Sequence, residues 1–197
     1  MTESSARLLR FIQVMPNASV DGRFHLRDLP SSGKRIDLLC RVLAAAFDWG
    51  PDTWPKSRIE VVAVLGNTVR MVFHYPSERL PVGERAWATV IRDALQGNPA
   101  PFVTVGQCNL HDTVRELMAH SDSRVWVLEE SGYPFRTALD MGTAAQNSFM
   151  LGNHVGLDSV AQSVVEEFNI PRLTLGRRSM LSSHCISTVI SEFERMT

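Results

Sequence analysis

Residues 148–157 read Ser-Phe-Met-Leu-Gly-Asn-His-Val-Gly-Leu, an apolar run that stops at Gly152. Such a run predicts a buried strand that ends in a glycine loop. The helix after it has its own start signal, because Ser159 and Gln162 stand three residues apart in capping-box register. Residues 169–171, Asn-Ile-Pro, end this helix, since proline cannot continue one. The segment therefore predicts a strand, a glycine loop and a helix.

A second unit of the same kind follows. Residues 172–175, Arg-Leu-Thr-Leu, alternate as a strand does, and the pattern breaks at Gly176. The last helix carries a set of residues at steps of four, four, four and three, which is one helix face: Leu181, Cys185, Val189, Phe193 and Met196. Open α/β sheets place ligands at the carboxyl ends of their strands. We therefore expect two adjacent parallel strands to present both glycine loops to one pocket.

The expected pocket suits an uncharged ring. Few charges lie between the two glycines, and the phosphate-binding motifs GxGxxG and GxxxxGK[ST] are absent. Main-chain N–H and C=O groups and apolar side chains would hold such a ring, with each hydrogen bond adding about 0.5 to 1.5 kcal/mol. Spacing alone favours the simpler alternative, in which both loops are ordinary connections from strand to helix.

The rest of the chain alternates strands with helices, which is typical of an α/β fold and here of one domain over residues 1–197. Strands are predicted at residues 8–15, 58–65, 69–75, 102–105 and 125–128, and helices at residues 36–46, 84–95 and 111–120. Gly66-Asn67 predicts a hairpin between two of these strands. Residues 133–147 are predicted to form loops and turns.

Composition limits the class of protein. The formal net charge is -1, but residues 1–41 hold seven basic and four acidic side chains. This balance is compatible with a nucleic-acid partner, although a solvated surface of mixed charge is the commoner explanation. Three cysteines without a CxxC pair favour a reducing compartment. Because the chain shows no membrane-length apolar run and no signal peptide, we expect a cytoplasmic protein without a membrane partner.

Several enzyme classes lack their motifs. The six histidines show no HExxH or comparable spacing, so we expect no metal. His184 and Cys185 are helix neighbours that point about 100° apart, which prevents a nucleophile and base pair. Cys185 lies on the apolar face and is expected to be a packed side chain. Ser179, Ser182 and Ser183 resemble helix-cap residues, and no GxSxG motif surrounds them.

Asp37 is the strongest candidate for acid–base chemistry. It stands between Arg35 and Arg41 at the start of a predicted helix, where the positive helix end would keep a carboxylate ionised. The alternative has equal weight: Asp37 is an ordinary first-turn acid paired to an arginine.

Three C-terminal segments together resemble the signature of the SPOUT methyltransferases. They are residues 151–157, residues 173–176 and residues 183–186. More narrowly, they are similar to the family that methylates N1 of pseudouridine in tRNA, which in archaea modifies position 54. The resemblance extends to residues 33–41 and to Glu84-Arg85, and so covers nearly the whole chain.

The resemblance implies a Rossmann-like, mostly parallel sheet whose C-terminal segment, about residues 146–197, forms a deep trefoil knot. Such threading is a rare exception among folds. It also implies a homodimer whose active site takes residues from both subunits. S-adenosylmethionine would bind in the knot with its adenine against backbone groups, which agrees with a pocket for a neutral ring. The implied cofactor contacts are Leu128, Gly152, Leu175, Gly176, Arg177, Arg178, Ser179, Met180 and Cys185.

The implied chemistry is methyl transfer to an RNA nitrogen. N1 of pseudouridine carries a proton that must leave, and Asp37 is the candidate acceptor. Lys34, Arg35 and Arg41 would hold phosphates of the RNA, with tRNA as the expected partner. Orientation of the reacting atoms could supply about 7 to 11 kcal/mol.

The chain departs from the archaeal pattern at two positions, with Asn153 in place of Asp and Arg177 in place of Pro. These departures bear on the substrate more than on the cofactor, because backbone groups bind the cofactor. Two other functions stay open. One is a SPOUT enzyme that acts on another RNA nitrogen or a ribose oxygen, and the other is a non-catalytic RNA-binding protein that keeps the knot.

Overall fold

The structure is a computed structural model that describes residues 6–50, 54–140, 144–153 and 155–196. Within these ranges the chain forms seven strands: β1 (Leu8–Met15), β2 (Ile59–Leu65), β3 (Val69–His74), β4 (Val103–Gln107), β5 (Ser123–Pro134), β6 (Gln146–Leu151) and β7 (Arg172–Thr174). The same ranges hold six α-helices: α1 (Ile36–Phe47), α2 (Gly83–Leu95), α3 (Leu110–Met118), α4 (Phe135–Asp140), α5 (Ser159–Glu167) and α6 (Ser182–Arg195). None of the described helices has the length and apolarity to cross a membrane.

The strands form one sheet in the order β4-β3-β2-β1-β6-β5-β7. Strands β2, β1, β6, β5 and β7 run parallel to one another, whereas β3 is antiparallel to β2 and to β4. Residues 66–68 join β2 to β3, and Gly66 and Asn67 have φ values of 55° and 50°, the left-handed backbone that tight hairpin turns use. The predicted α/β class, mostly parallel sheet and hairpin are therefore confirmed.

Helices cover both faces of the sheet. Helices α1, α2 and α6 contribute to the core on one face, and α3 and α5 to the core on the other. Strand β1 shows the reason: Leu9 and Phe11 belong to the first core, whereas Ile12 and Val14 belong to the second. A parallel strand with helices on both sides is apolar on both faces.

An aromatic cluster ties the C-terminal helices to the centre of the sheet. The ring of Phe149 on β6 lies 6.0 Å from Phe11, 5.6 Å from Phe135 and 5.9 Å from Phe193. Trp54 packs edge-on against Phe193 at 5.9 Å. Such pairs add about 0.5 to 1.5 kcal/mol each beyond area burial. The cluster therefore fixes α4 and α6 relative to β6.

Two predictions about the C-terminal half are wrong. Strands β6 and β7 are not adjacent, because β5 lies between them and pairs with both. Helix α4 forms where the sequence predicts loops and turns. Its Phe135 and Ala138 are buried three residues apart on one side, but six residues are too few to show helical periodicity in the sequence.

Strand β5 also continues past residue 128, where the sequence predicts its end. Leu128 and Tyr133 both pair with Leu173 of β7, so the residues between them bulge out of the strand. The cap of α5 differs as well: the Asp158 carboxylate accepts the Ala161 N–H at 2.9 Å, in place of the predicted Ser159 capping box. An aspartate one residue earlier is an equally good cap.

Candidate functional site

A cavity of about 690 Å³ lies at the carboxyl ends of β5, β6 and β7. Two segments bound it, and we call them the first glycine loop (residues 152–157) and the second glycine loop (residues 175–181). Its wall is completed by the end of β5, by Gln162 of α5, by the start of α6 and by Leu38 of α1. The predicted pocket is therefore present, although it spans three strands rather than two.

The first glycine loop is closed by its own backbone. A Cβ on Gly152 would lie 2.4 Å from the carbonyl carbon of Gly156, closer than real Cβ atoms come. Asn153 and Gly156 exchange backbone hydrogen bonds of 3.1 and 3.0 Å. The carbonyl of Gly152 accepts from Gln13 Nε2 at 2.8 Å and from Ser182 Oγ at 3.2 Å. This loop therefore needs glycine because the chain packs against itself.

The second glycine loop is open. A Cβ on Gly176 would meet no atom within 4 Å, and Gly176 lines the cavity. Its backbone N–H donates to the Thr174 hydroxyl at 3.1 Å, and the same hydroxyl donates to the Gly176 carbonyl at 2.7 Å. Thr174 therefore holds the loop in shape, while the space beside Gly176 stays available to a ligand.

The cavity wall carries more charge than the sequence predicts. Glu129 and Glu130 both line it, directly after the apolar part of β5. Glu129 is paired with Arg172 at 2.9 Å. A hydrogen bond from Ser179 lowers the pKa of Glu130, so this carboxylate is ionised at neutral pH. The sequence held a signal for both, since charged residues at the carboxyl end of a parallel strand are typical of a ligand site.

Cys185 is a packed thiol at the edge of the cavity. Burial, and then the negative charge of Glu130, raise its pKa to about 11. A thiol with that pKa stays protonated at neutral pH and is a poor nucleophile. The prediction of a packed side chain is therefore confirmed.

The structure brings most of the predicted cofactor contacts together. These residues line the cavity: Leu128, Gly152, Leu175, Gly176, Arg178, Ser179, Met180 and Cys185. Arg177 belongs to the second glycine loop but does not line the cavity. The predicted capping role of the serines at α6 is wrong, because Leu181 is the N-cap residue and no side chain caps the helix. Ser182 instead bonds across to Gly152.

Asp37 does not itself line the cavity, and its carboxylate is fully engaged with cations. It is 6% exposed, and both its oxygens accept from Arg35, at 3.1 and 3.2 Å. Arg41, one turn further along α1, donates to Asp37 Oδ2 at 2.7 Å. The next residue, Leu38, lines the cavity. This is the geometry of an acid paired with arginines.

Lys34 and Arg35 precede α1 in an unusual conformation. Their φ values are 49° and 74°, in the left-handed region that side chains other than glycine seldom adopt. Each such residue costs on the order of 1 to 3 kcal/mol. The backbone turn places the Arg35 guanidinium on Asp37, two residues later.

Among the residues described, no group of three or more His, Cys, Asp or Glu side chains could hold a metal ion. His184 lines the cavity, whereas His111 is on the opposite face of the sheet, paired with Glu167 at 3.0 Å. His154, within the first glycine loop, lies outside the described residues.

Comparison with known proteins relates this geometry to a family. Residues 8–197 match the family model described as "Putative SAM-dependent RNA methyltransferase". The tRNA (pseudouridine(54)-N(1))-methyltransferase of Thermococcus kodakarensis is 31% identical over 195 residues, which cover 91% of this chain and 95% of the relative. The enzyme of the same name from Methanococcoides burtonii is 25% identical, with coverage of 94% and 95%.

The fold also has solved counterparts. The crystal structure of Archaeoglobus fulgidus Nep1 bound to S-adenosylhomocysteine aligns with a TM-score of 0.65 at 16% identity, covering 96% of this chain and 98% of that chain. A structure from Porphyromonas gingivalis described as "a putative RNA methyltransferase of the TrmH family" aligns with a TM-score of 0.52 at 14% identity, covering 98% of this chain and 61% of that chain. At these identities the likeness is one of fold.

Proposed function

The chain belongs to the family of S-adenosylmethionine-dependent RNA methyltransferases, and from this membership we propose that it methylates N1 of a pseudouridine in tRNA. The family predicted from the C-terminal motifs is thereby confirmed. One observation carries the proposal for the substrate: the cavity between the glycine loops is lined by Leu38, next to an arginine-paired carboxylate at the start of α1. The side chains proposed to bind RNA would thus lie close to the cofactor.

The cavity fits the cofactor in size and in lining. Its volume of about 690 Å³ lies in the range of about 300 to 1,000 Å³ of small-molecule sites. Leu128, Leu175, Met180 and Cys185 would contact the adenosine part, and the open side of Gly176 lets a ring approach the backbone. When bound, S-adenosylmethionine supplies a methyl group activated by its positively charged sulfur.

The RNA side of the site is the start of α1. Lys34 is exposed, and Arg35 and Arg41 are 36% and 31% exposed at their side chains, so all three can meet phosphates. The strained backbone of Lys34 and Arg35 supports this role, because such strain concentrates at functional sites. Phosphate contacts of this kind position the RNA and do not select the base.

Asp37 acts mainly by holding Arg35 and Arg41 in place. Three hydrogen bonds from two guanidinium groups fix both arginines against the helix start. In the proton-acceptor hypothesis, the same carboxylate accepts the proton that leaves N1 of the base. The two roles differ in kinetics, since a positioning residue affects KM and RNA affinity, whereas a base affects kcat.

The proposal includes the trefoil knot. Its support is the position of α6, which has partners on two sides. Phe193 packs against Phe149 of β6 and, at 6.4 Å, against Phe135 of α4. Arg136 of α4 pairs with Glu192 of α6 at 2.6 Å. Helix α6 would then pass beneath the segment that carries α4, as a threaded tail requires.

The proposal also includes a homodimer. Val155 and Leu181 line the cavity and are 81% and 52% exposed, and Tyr133 of β5 is 76% exposed. A second copy of the chain would cover them and bring its own residues to the cavity.

Leu181→Asp should then shift the mass measured by light scattering from dimer to monomer. Met118→Asp, at an exposed methionine of α3, is the matched control. A monomeric wild type would refute the dimer.

The direct test of function is methyl transfer from S-adenosylmethionine to tRNA. A transcript with pseudouridine at position 54 should accept one methyl group, located by mass spectrometry. The same transcript with uridine should accept none, because N1 of uridine is bonded to the sugar. Methylation of both transcripts would favour another RNA nitrogen or a ribose oxygen. Binding of tRNA without methylation of any transcript would favour the non-catalytic RNA-binding protein. We also propose a cytoplasmic location, which a tRNA substrate and three free cysteines support.

A further inference from the structure

Two opposite charges lie on one part of the cavity wall. Glu130 follows the apolar part of β5, and Arg178 belongs to the second glycine loop. Ser179, the neighbour of Arg178, hydrogen-bonds to Glu130 and lowers its pKa. Among the described residues, neither Glu130 nor Arg178 has an ion-pair partner, and they do not pair with each other. The wall therefore presents an uncompensated anion and an uncompensated cation, the first bonded to Ser179 and the second next to it in the chain.

The other carboxylate of the wall is different. Glu129 is neutralised by Arg172 at 2.9 Å, and Arg172 is fixed further by Gln162 at 2.7 Å. The negative charge of Glu130 also acts on Cys185 at the edge of the cavity. It is the second cause, smaller than burial, of the raised pKa of that thiol. Glu130 is thus the carboxylate available to a ligand.

We propose that Glu130 and Arg178 bind the two charged groups at the amino-acid end of S-adenosylmethionine. The Glu130 carboxylate accepts hydrogen bonds from the ligand's ammonium group, and the Arg178 guanidinium donates to the ligand's carboxylate. A guanidinium fork matches a carboxylate well. This inference rests on the proposed function, because it takes S-adenosylmethionine as the occupant of the cavity. It gives the Arg178 side chain a defined role in binding the cofactor, and it adds Glu130 to the cofactor-binding residues.

Two ligands isolate the amino-acid end. S-adenosylhomocysteine and 5′-methylthioadenosine share adenosine and a neutral thioether, but only the first has the ammonium and the carboxylate. By calorimetry, Glu130→Gln and Arg178→Gln should each weaken S-adenosylhomocysteine binding about tenfold, the usual effect of one charged hydrogen bond. Binding of 5′-methylthioadenosine should change less than about twofold, which also shows that the adenosine site is intact.

Equal losses for the two ligands would overturn the inference, since Glu130 or Arg178 would then act on the adenosine or on the fold. Unchanged binding of S-adenosylhomocysteine would overturn it as well. Arg115→Gln is the charge control, because Arg115 pairs with Asp112 on α3, away from the cavity, and it should leave both affinities unchanged. A wild-type protein that binds neither ligand would refute the cofactor itself, a failure distinct from that of Glu130 and Arg178.

Discussion

The two glycine loops meet at one cavity but use their glycines for different purposes. At Gly152 a Cβ would lie 2.4 to 2.8 Å from three backbone atoms of Gly156, whereas at Gly176 it would meet nothing within 4 Å. The first glycine permits a close approach of the chain to itself. The second leaves space on the cavity side that the protein does not fill.

The difference shows how similar sequence patterns can serve folding in one place and binding in another. Both loops follow a parallel strand and precede a helix. The two loops differ in how close other backbone atoms come to the glycine. The first loop is closed by the Asn153–Gly156 bridge and by bonds from Gln13 and Ser182, and the second is held by Thr174 alone among the bonds described at Gly176.

The largest expected effect is on folding, from Gly152→Ala. The new methyl group would collide with backbone of Gly156, and relief would require breaking the Asn153–Gly156 bridge. We expect the free energy of unfolding, measured with urea, to fall by about 3 kcal/mol or more. Gly176→Ala is the matched control and should change it by less than about 0.5 kcal/mol. Equal losses at both glycines would erase the distinction between the loops.

The next effect is on cofactor binding, from Gly176→Val. A valine side chain would project into the open space beside the second loop without displacing protein atoms. The dissociation constant for S-adenosylmethionine should rise about 10- to 100-fold, while the melting temperature changes by about 2 °C or less. Gly106→Val is the control, because Gly106 on β4 is equally open but lies away from the cavity. Unchanged affinity in Gly176→Val would remove the second loop from the site.

A smaller effect, outside both loops, is expected from Asp37→Asn. Losing the charge frees Arg35 and Arg41 from their ion pairs, so KM for tRNA should rise about tenfold while kcat and cofactor affinity stay nearly constant. If Asp37 is instead the proton acceptor, kcat should fall about 10²- to 10⁴-fold with KM unchanged. Full activity would exclude Asp37 from both roles.

The smallest effect tests the link between the loops. Ser182→Ala removes the hydroxyl that donates to the Gly152 carbonyl, but Gln13 still donates to the same oxygen at 2.8 Å. Unfolding free energy should fall by about 0.5 to 1.5 kcal/mol. Ser187→Ala provides the comparison, because that hydroxyl bonds only within α6, to Ser183 at 3.3 Å. A larger loss at Ser187 would show that the Ser182 bond does not stabilise the junction.

Local patterns predicted the elements well where burial is periodic. Strand β1 has the predicted bounds because its apolar run is continuous. On α6 the predicted face is buried at Cys185, Val189 and Phe193, whereas Leu181 and Met196 lie just outside the helix and are exposed. The order of the strands could not be predicted in the same way. Long-range pairing places β5 between β6 and β7, and local periodicity does not encode such pairing. Glu130 was overlooked for a related reason, because a charged residue after a buried strand also marks an ordinary strand end.

The two interpretations of Asp37 show the same limit. Its spacing from Arg35 and Arg41 predicted the ion pairs that the structure contains. It did not predict that both oxygens would be occupied, which follows from the left-handed backbone of Lys34 and Arg35. A conformation that side chains rarely adopt is not visible in the identity of two basic residues.

A crystal structure of the complex with S-adenosylhomocysteine tests most directly whether the second glycine loop serves binding. We predict adenosine density between residues 152–157 and residues 175–181, in contact with the open side of Gly176. Ligand density elsewhere, with the space beside Gly176 filled by solvent, would contradict the account.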